Sequence, residues 1–125
     1  MSEYADRPPQ TPLSQAEGAA AIPGLEQLRA GWLGRPQLQT EGAWARNEAG
    51  HAIPATSDRA ICWCMEGFVS RFVKPPTRHA TFRALRVAAA RCGYRSIAHA
   101  SDSGTAARHQ VVTTAVQIAH QASLE

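Results

Sequence analysis

The sequence predicts a mainly α fold, a small four-helix domain with one short β-hairpin between the first and second helices. Three observations carry that prediction. Four segments combine helix start and stop residues with apolar spacing between them. The stretch from Leu38 to Ile53 loses the helical period and centres on an Asn-to-Gly turn. And 125 residues, 44% hydrophobic and 18% charged, suit one packed core rather than a disordered chain.

Residues 1–20 hold Pro8, Pro9 and Pro12 among small and polar residues, with little apolar surface to offset the entropy of ordering, and are expected to form a flexible tail. Residues 21–123 are expected to be a single helical domain, and Leu124-Glu125 reads as a cloning remnant. Pro23 suits a first helical turn, and Leu25, Leu28, Trp32 and Leu33 follow at helical spacing until Gly31 or Gly34, with Pro36 enforcing the stop. The hairpin pairs Ala43–Arg46 with His51–Pro54 around Asn47–Gly50. A second helix is expected from Ser57 or Asp58 to Val73, where Lys74-Pro75-Pro76 cannot continue it. Thr77 caps a third helix through Cys92, with Gly93 as a left-handed exit. After a loop containing Ser101–Gly104, Thr105 caps a fourth helix lined by Val112, Ala115, Val116 and Ala119.

No apolar run approaches the roughly 18 residues that span a bilayer, and Met1–Arg7 lacks a basic-then-apolar leader, so the expectation is a cytoplasmic protein without membrane contact. Three cysteines without a leader point to reduced thiols. The segment Arg59-Ala-Ile-Cys-Trp-Cys-Met-Glu-Gly-Phe68 packs two thiols, an indole and a thioether into ten residues. On a helix, Ile61, Cys64, Met65, Phe68 and Phe72 share one apolar arc, while Cys62 and Cys64 diverge by about 200°. Cys64 and Met65 then read as core filling, and the two sulfurs cannot share a metal. That argument depends on the helix, because a strand would put both on one face. A zinc site also needs a close Cys-x2-Cys or His-x3-His type of pair, which is absent, so neither metal nor cofactor is expected. Trp63 falls opposite the apolar arc, either covered by another element such as the hairpin or offered to a partner.

The net charge of +3 is unevenly spread. Residues 67–101 carry Arg71, Lys74, Arg78, Arg83, Arg86, Arg91 and Arg95 and not one acid. On the third helix His79, Arg83 and Arg86 stack outward at i, i+4 and i+7, and Arg91 and Arg95 extend the positive field. These residues, with Trp63, are the candidate partner-binding set, for phosphates of a nucleic acid or for an acidic protein surface. The structural alternative is a solvated face neutralised by acids elsewhere, such as Glu41, Glu48 or Asp58. No phosphate loop, zinc finger or RNA-stacking motif accompanies the patch.

The order Gly42-Ala43-Trp44-Ala45-Arg46-Asn47, then Ala60-x-x-Trp63-Cys64-x-x-Gly67, then Asp102, Thr105 and Val111 or Val112 resembles a domain-of-unknown-function family of small bacterial and phage proteins. That family shares a G-A-x-A-R segment, a W-C-x-x-G-A helix and a W-N-D turn before its last helix. The likeness spans about residues 25–122, with Phe68 in place of the small residue after Gly67, Ala100-Ser101-Asp102 in place of the W-N-D turn, and extra spacer at residues 34–40. It implies a compact helical domain in which Trp63 is a framework residue, and it brings no activity with it.

Two functions follow as expectations. The first is a non-enzymatic binding or regulatory module of phage-related kind, acting through the basic helix on nucleic acid or an acidic protein. The second is a small cysteine-dependent or acid/base enzyme in which Cys62 or Cys64 works with His99 and Asp102. A scaffold that self-associates through Trp63 or Trp32 stays open beside them.

Overall fold

A computed structural model describes residues 11–125. Ser14 opens the first helix, α1 (Gln15–Leu28): its hydroxyl accepts the Glu17 N–H at 3.1 Å while the Glu17 carboxylate accepts the Ser14 N–H at 3.0 Å. This reciprocal cap satisfies donors that a helix start otherwise leaves bare. The helix therefore begins eight residues before Pro23, which sits exposed in its interior rather than in its first turn. Losing one intrahelical bond at Pro23 is offset by burial of Ala21, Leu25 and Leu28. Of the tail expected over residues 1–20, residues 1–10 lie outside the described residues. Leu13 is buried and Gln15–Ala20 is helical, so the packed domain starts before residue 21.

The helix runs on into a wider π-turn, Arg29–Leu33, which turns both Trp32 and Leu33 inward. A 3-10 turn at Pro36–Leu38 then leads to the sheet. Strands β1 (Ala45–Arg46) and β2 (Ala52–Ile53) form a hairpin shorter than the expected pairing of Ala43–Arg46 with His51–Pro54, closed by the Asn47 side chain accepting the His51 N–H at 3.0 Å. The hairpin is not alone: β3 (Cys62–Trp63) pairs antiparallel with the other edge of β1, giving the order β2-β1-β3. The helix expected from Ser57 or Asp58 is thus overturned in its first half. Residues Cys62 and Trp63 are extended, and only α2 (Met65–Phe72) coils. The free backbone edge of β1 supplies hydrogen bonds that the apolar, aromatic Ile61-Cys62-Trp63 run satisfies as a strand.

Helix α3 (Thr77–Arg91) follows the prolines, and Gly93 makes the left-handed exit at φ 87°. A short helix, α4 (Ile97–Asp102), occupies what the sequence suggests is loop, capped by Ser96. The last helix, α5 (Thr105–Ser123), starts from Gly104 rather than from a Thr105 cap. Among the described residues the count is therefore five α-helices and a three-stranded sheet, not four helices and a hairpin.

Packing centres on α1, which lies mainly against α5 and α3. Gly18 permits a close approach to α5: a Cβ there would stand 2.7 Å from the Ala119 carbonyl oxygen. At the same end the Gln15 side-chain amide donates to the Ser123 carbonyl at 3.2 Å. Trp32, fully buried, joins this bundle to the sheet by donating its indole N–H to the Trp63 carbonyl at 2.9 Å. Buried Arg108 on α5 donates to the Ser101 carbonyl at 2.7 Å and to the Gln39 side chain at 3.0 Å, tying α5 to α4 and to the segment before β1. No helix among the described residues is long and apolar enough to cross a membrane.

Candidate functional site

Strand period two decides which side chains of the sheet face out. Ala45 and its register partner Trp63 point into the core, so the neighbouring Trp44 and Arg46 point away from it. Trp63 is accordingly 7% exposed, donates its indole N–H to the Ala55 carbonyl at 3.0 Å and stacks edge-on against Phe72 at 5.0 Å. It is a framework residue, and its place in the expected partner-binding set is corrected. The tryptophan offered to solvent is Trp44, 53% exposed.

Trp44 stands at a cavity of about 290 Å³ lined by Gly42, Ala43, Trp44, Cys64, Glu66, Ala98 and Asp102. The three sequence segments singled out above meet here. Local chemistry holds each of them in place. The Gly42 N–H donates to Asp102 Oδ1 at 3.0 Å, fixing the approach to β1 against the end of α4. The Cys64 N–H donates to the Trp44 carbonyl at 3.1 Å, and on the next turn Gly67 presses its bare Cα against the same peptide, where a Cβ would lie 2.0 Å from that oxygen. The Met65 N–H donates to the Ser101 hydroxyl at 3.1 Å, joining α2 to α4. The Trp44 backbone is therefore clamped while its indole stays out.

The cavity is electronegative. Burial pushes the half-buried Glu66 carboxyl above its usual range, Arg86 works against that shift, and the Asp102 charge adds to it. Burial also pushes the Cys64 thiol up, the Gly67 N–H opposes, and the charges of Glu66 and Asp102 reinforce. Cys64 Sγ accepts the Gly67 N–H at 3.3 Å and so serves as the N-cap of α2. That helix-end bond favours the thiolate, but burial outweighs it, so Cys64 lacks the lowered pKa of an activated cysteine. His99 gives no such help: its Nδ1 accepts the Arg95 N–H at 2.9 Å, its ring meets Tyr94 edge-on at 5.4 Å, and it is not among the cavity's lining residues. Asp102 does reach the cavity, so one member of the expected Cys–His–Asp set is placed near Cys64 and the other is not.

The extended Cys62-Trp63 run removes the expectation that the two sulfurs diverge around a helix. What separates them is burial, Cys64 at 8% exposure against a half-buried Cys62 paired with Arg46 in the β1–β3 register. Among the described residues no group of three or more His, Cys, Asp or Glu side chains could hold a metal ion. Under native conditions Cys64 is expected to react with iodoacetamide at least about tenfold more slowly than Cys62, by mass-spectrometric time course. Equal rates would show that the cap opens readily.

The basic helix face divides. Arg83 donates to Glu17 Oε2 at 3.1 Å and to the Thr11 carbonyl at 3.0 Å, which commits it to holding α1. Arg86 is exposed, lies 5.8 Å over the Phe82 ring, and feels Glu66. His79, Arg91 and Arg95 are exposed. Among the described residues Glu17 pairs with Arg83 and Glu66 lies in the field of Arg86, whereas Glu41 stands by Arg108 of α5.

A larger hollow of about 490 Å³ beside the hairpin turn is lined by Asn47, Glu48, Ala49, Asp58, Arg59 and the exposed Ile61, and it brings together none of the singled-out segments. The Trp44 cavity escaped sequence reasoning even though Ala43–Arg46 reads as a strand. Alternation there, with Ala45 inward, was the signal that could have placed Trp44 outside. No family model, curated protein or solved structure matches the chain.

Proposed function

We propose that the chain is a non-enzymatic binding module whose recognition surface is the Trp44 cavity. One observation carries this reading: a tryptophan whose backbone is clamped by Cys64 and Gly67 remains 53% exposed beside a concave, charged pocket. An aromatic residue whose backbone is already fixed in the free protein has less conformational freedom to lose on binding, which favours anchor residues of interfaces. Of the two thiols in the enzyme reading, Cys64 loses support because it is a buried cap with suppressed ionisation, Cys62 is not among the residues that line the cavity, and the Nδ1 of the His99 base is committed to the Arg95 N–H. A regulatory role, and kinship with the phage and bacterial family, belong to this same proposal.

A second reading keeps the basic face. His79, Arg86, Arg91 and Arg95 are exposed on an acid-free span, a footprint that suits a phosphate backbone without sequence specificity.

Two experiments separate the readings. A peptide array probed with wild type and Trp44→Ala is expected to yield peptides retained only by wild type. Fluorescence anisotropy with duplex and single-stranded DNA, from about 50 to 200 mM salt, tests the other, since phosphate contacts weaken steeply over that range. DNA binding that is abolished by Arg86→Glu with Arg91→Glu, beside an array indifferent to Trp44→Ala, would favour nucleic acid. An indifferent array with no DNA binding would end both readings.

A further inference from the structure

We propose that the Trp44 cavity receives the cationic side chain of an arginine or lysine in a partner polypeptide. The inference rests on the binding-module reading and deepens it by naming the chemistry of the occupant.

Three independent features converge on a cation. The first is the exposed indole, the best of the aromatic faces for a guanidinium or ammonium. The second is charge. Glu66 and Asp102 both line the cavity, and the negative charge of Asp102 is felt at Cys64 and at Glu66 alike. Arg86 of α3 offsets part of it, and the Gly42 N–H occupies one Asp102 oxygen, so the cavity keeps an excess of acceptor and of negative charge. The third is size. About 290 Å³ lies at or below the small end of the range for sites that enclose a whole small molecule, and suits one long side chain entering from a chain that stays outside. An apolar side chain would leave Glu66 half-buried without a new partner, and an anionic one would meet two carboxylates.

Glu66 links occupancy to pH. It is faced by Arg86 from α3, by Asp102 from α4 and by Cys64 at the head of its own helix. A cation favours the ionised carboxylate, so binding is present above the raised range in which Glu66 titrates and is lost as pH falls through it.

The test follows the indole N–H resonances of the intact protein by NMR. Trp32 and Trp63 donate their indole N–H groups to carbonyls inside the fold, and the Trp44 signal is identified by its absence from Trp44→Phe. The probes are short capped peptides with one central arginine, lysine, norleucine or glutamate. Arginine and lysine probes are expected to move the Trp44 signal and leave the other two in place. Binding should weaken roughly threefold in Glu66→Gln and fall with salt, as a cation held by an indole and a carboxylate requires. The loss as pH falls should be smaller in that variant, which keeps the size and shape of the side chain.

If norleucine moves the signal as well as lysine does, the inference fails while the binding-module reading survives on its array result. If no probe moves it, the inference fails too, and a blank array beside it would end the module reading. A Trp44 signal that shifts with the protein's own concentration, and whose sedimentation profile Trp44→Phe alters, would make a second copy the occupant and overturn the proposal of a partner.

Discussion

Gly67→Ala is expected to destabilise the fold by about 3 kcal/mol or more, a drop of roughly 10–15 °C in melting temperature for a domain of this size. In an exposed helix the same change would stabilise by about 1 kcal/mol, because alanine is the better helix former. Here the sign reverses. The added Cβ would stand 2.0 Å from the Trp44 carbonyl oxygen and 2.9 Å from its carbon, and backbone cannot swing aside as a side chain can. Relief would require the approach to β1 to move away from α2. That movement would break the bond from the Cys64 N–H to the same oxygen and disturb the Gly42–Asp102 bond beside it. Calorimetry on the two proteins checks the prediction, with half-buried Ser70→Ala as a control that should stay within about 0.5 kcal/mol. A Gly67→Ala protein melting within about 2 °C of wild type would mean that the Trp44 peptide is not clamped at all.

Trp32→Ala should cost about 3–5 kcal/mol, a large part of the total stability expected of a single domain. The indole is fully buried where the π-turn of the first helix meets the sheet, with the Arg108 guanidinium 6.0 Å from its ring centroid. Truncation would leave a cavity and also strip the Trp63 carbonyl of the N–H it accepts at 2.9 Å. Trp32→Phe separates the two losses, since it keeps most of the ring volume and removes only the donor, for about 1–3 kcal/mol. Urea denaturation of both variants gives the values. If alanine and phenylalanine cost the same, the hydrogen bond outweighs packing at this junction. If alanine costs less than about 1 kcal/mol, the junction does not hold the bundle and sheet together.

Helices bounded by unambiguous punctuation were legible. α3 runs between the Pro75-Pro76 break and Gly93, and α5 follows Gly104, so local chemistry alone marks their limits. The hairpin was legible for the same reason, its Asn47–Gly50 turn carrying its own hydrogen bonds. The start of α1 was written as Ser14-x-x-Glu17, a capping pair hidden by the prolines before it. The segment around Cys62 was misread because an apolar arc over a few residues fits a helix and a buried strand equally well. Only the bare edge of β1, whose Arg46 and Ala45 pair with Cys62 and Trp63, decides between them. The pocket depends on a further step. Glycine at position 67 is ordinary on a helical wheel, and its purpose appears only when the Trp44 peptide is laid against it. The arginine row was partly misread for a similar reason, since nothing local says that Glu17 of α1 comes to Arg83 across 66 positions.

The contact between Gln15 and Ser123 has a practical consequence. The start of α1 and the end of α5 lie side by side, so a peptide of a few residues would join those two helix ends without stretching, and the ring could be reopened in the Asn47–Gly50 turn. The same adjacency would let the domain be spliced as a cassette into a surface loop of another protein, whose two loop ends need not be prised apart to receive it.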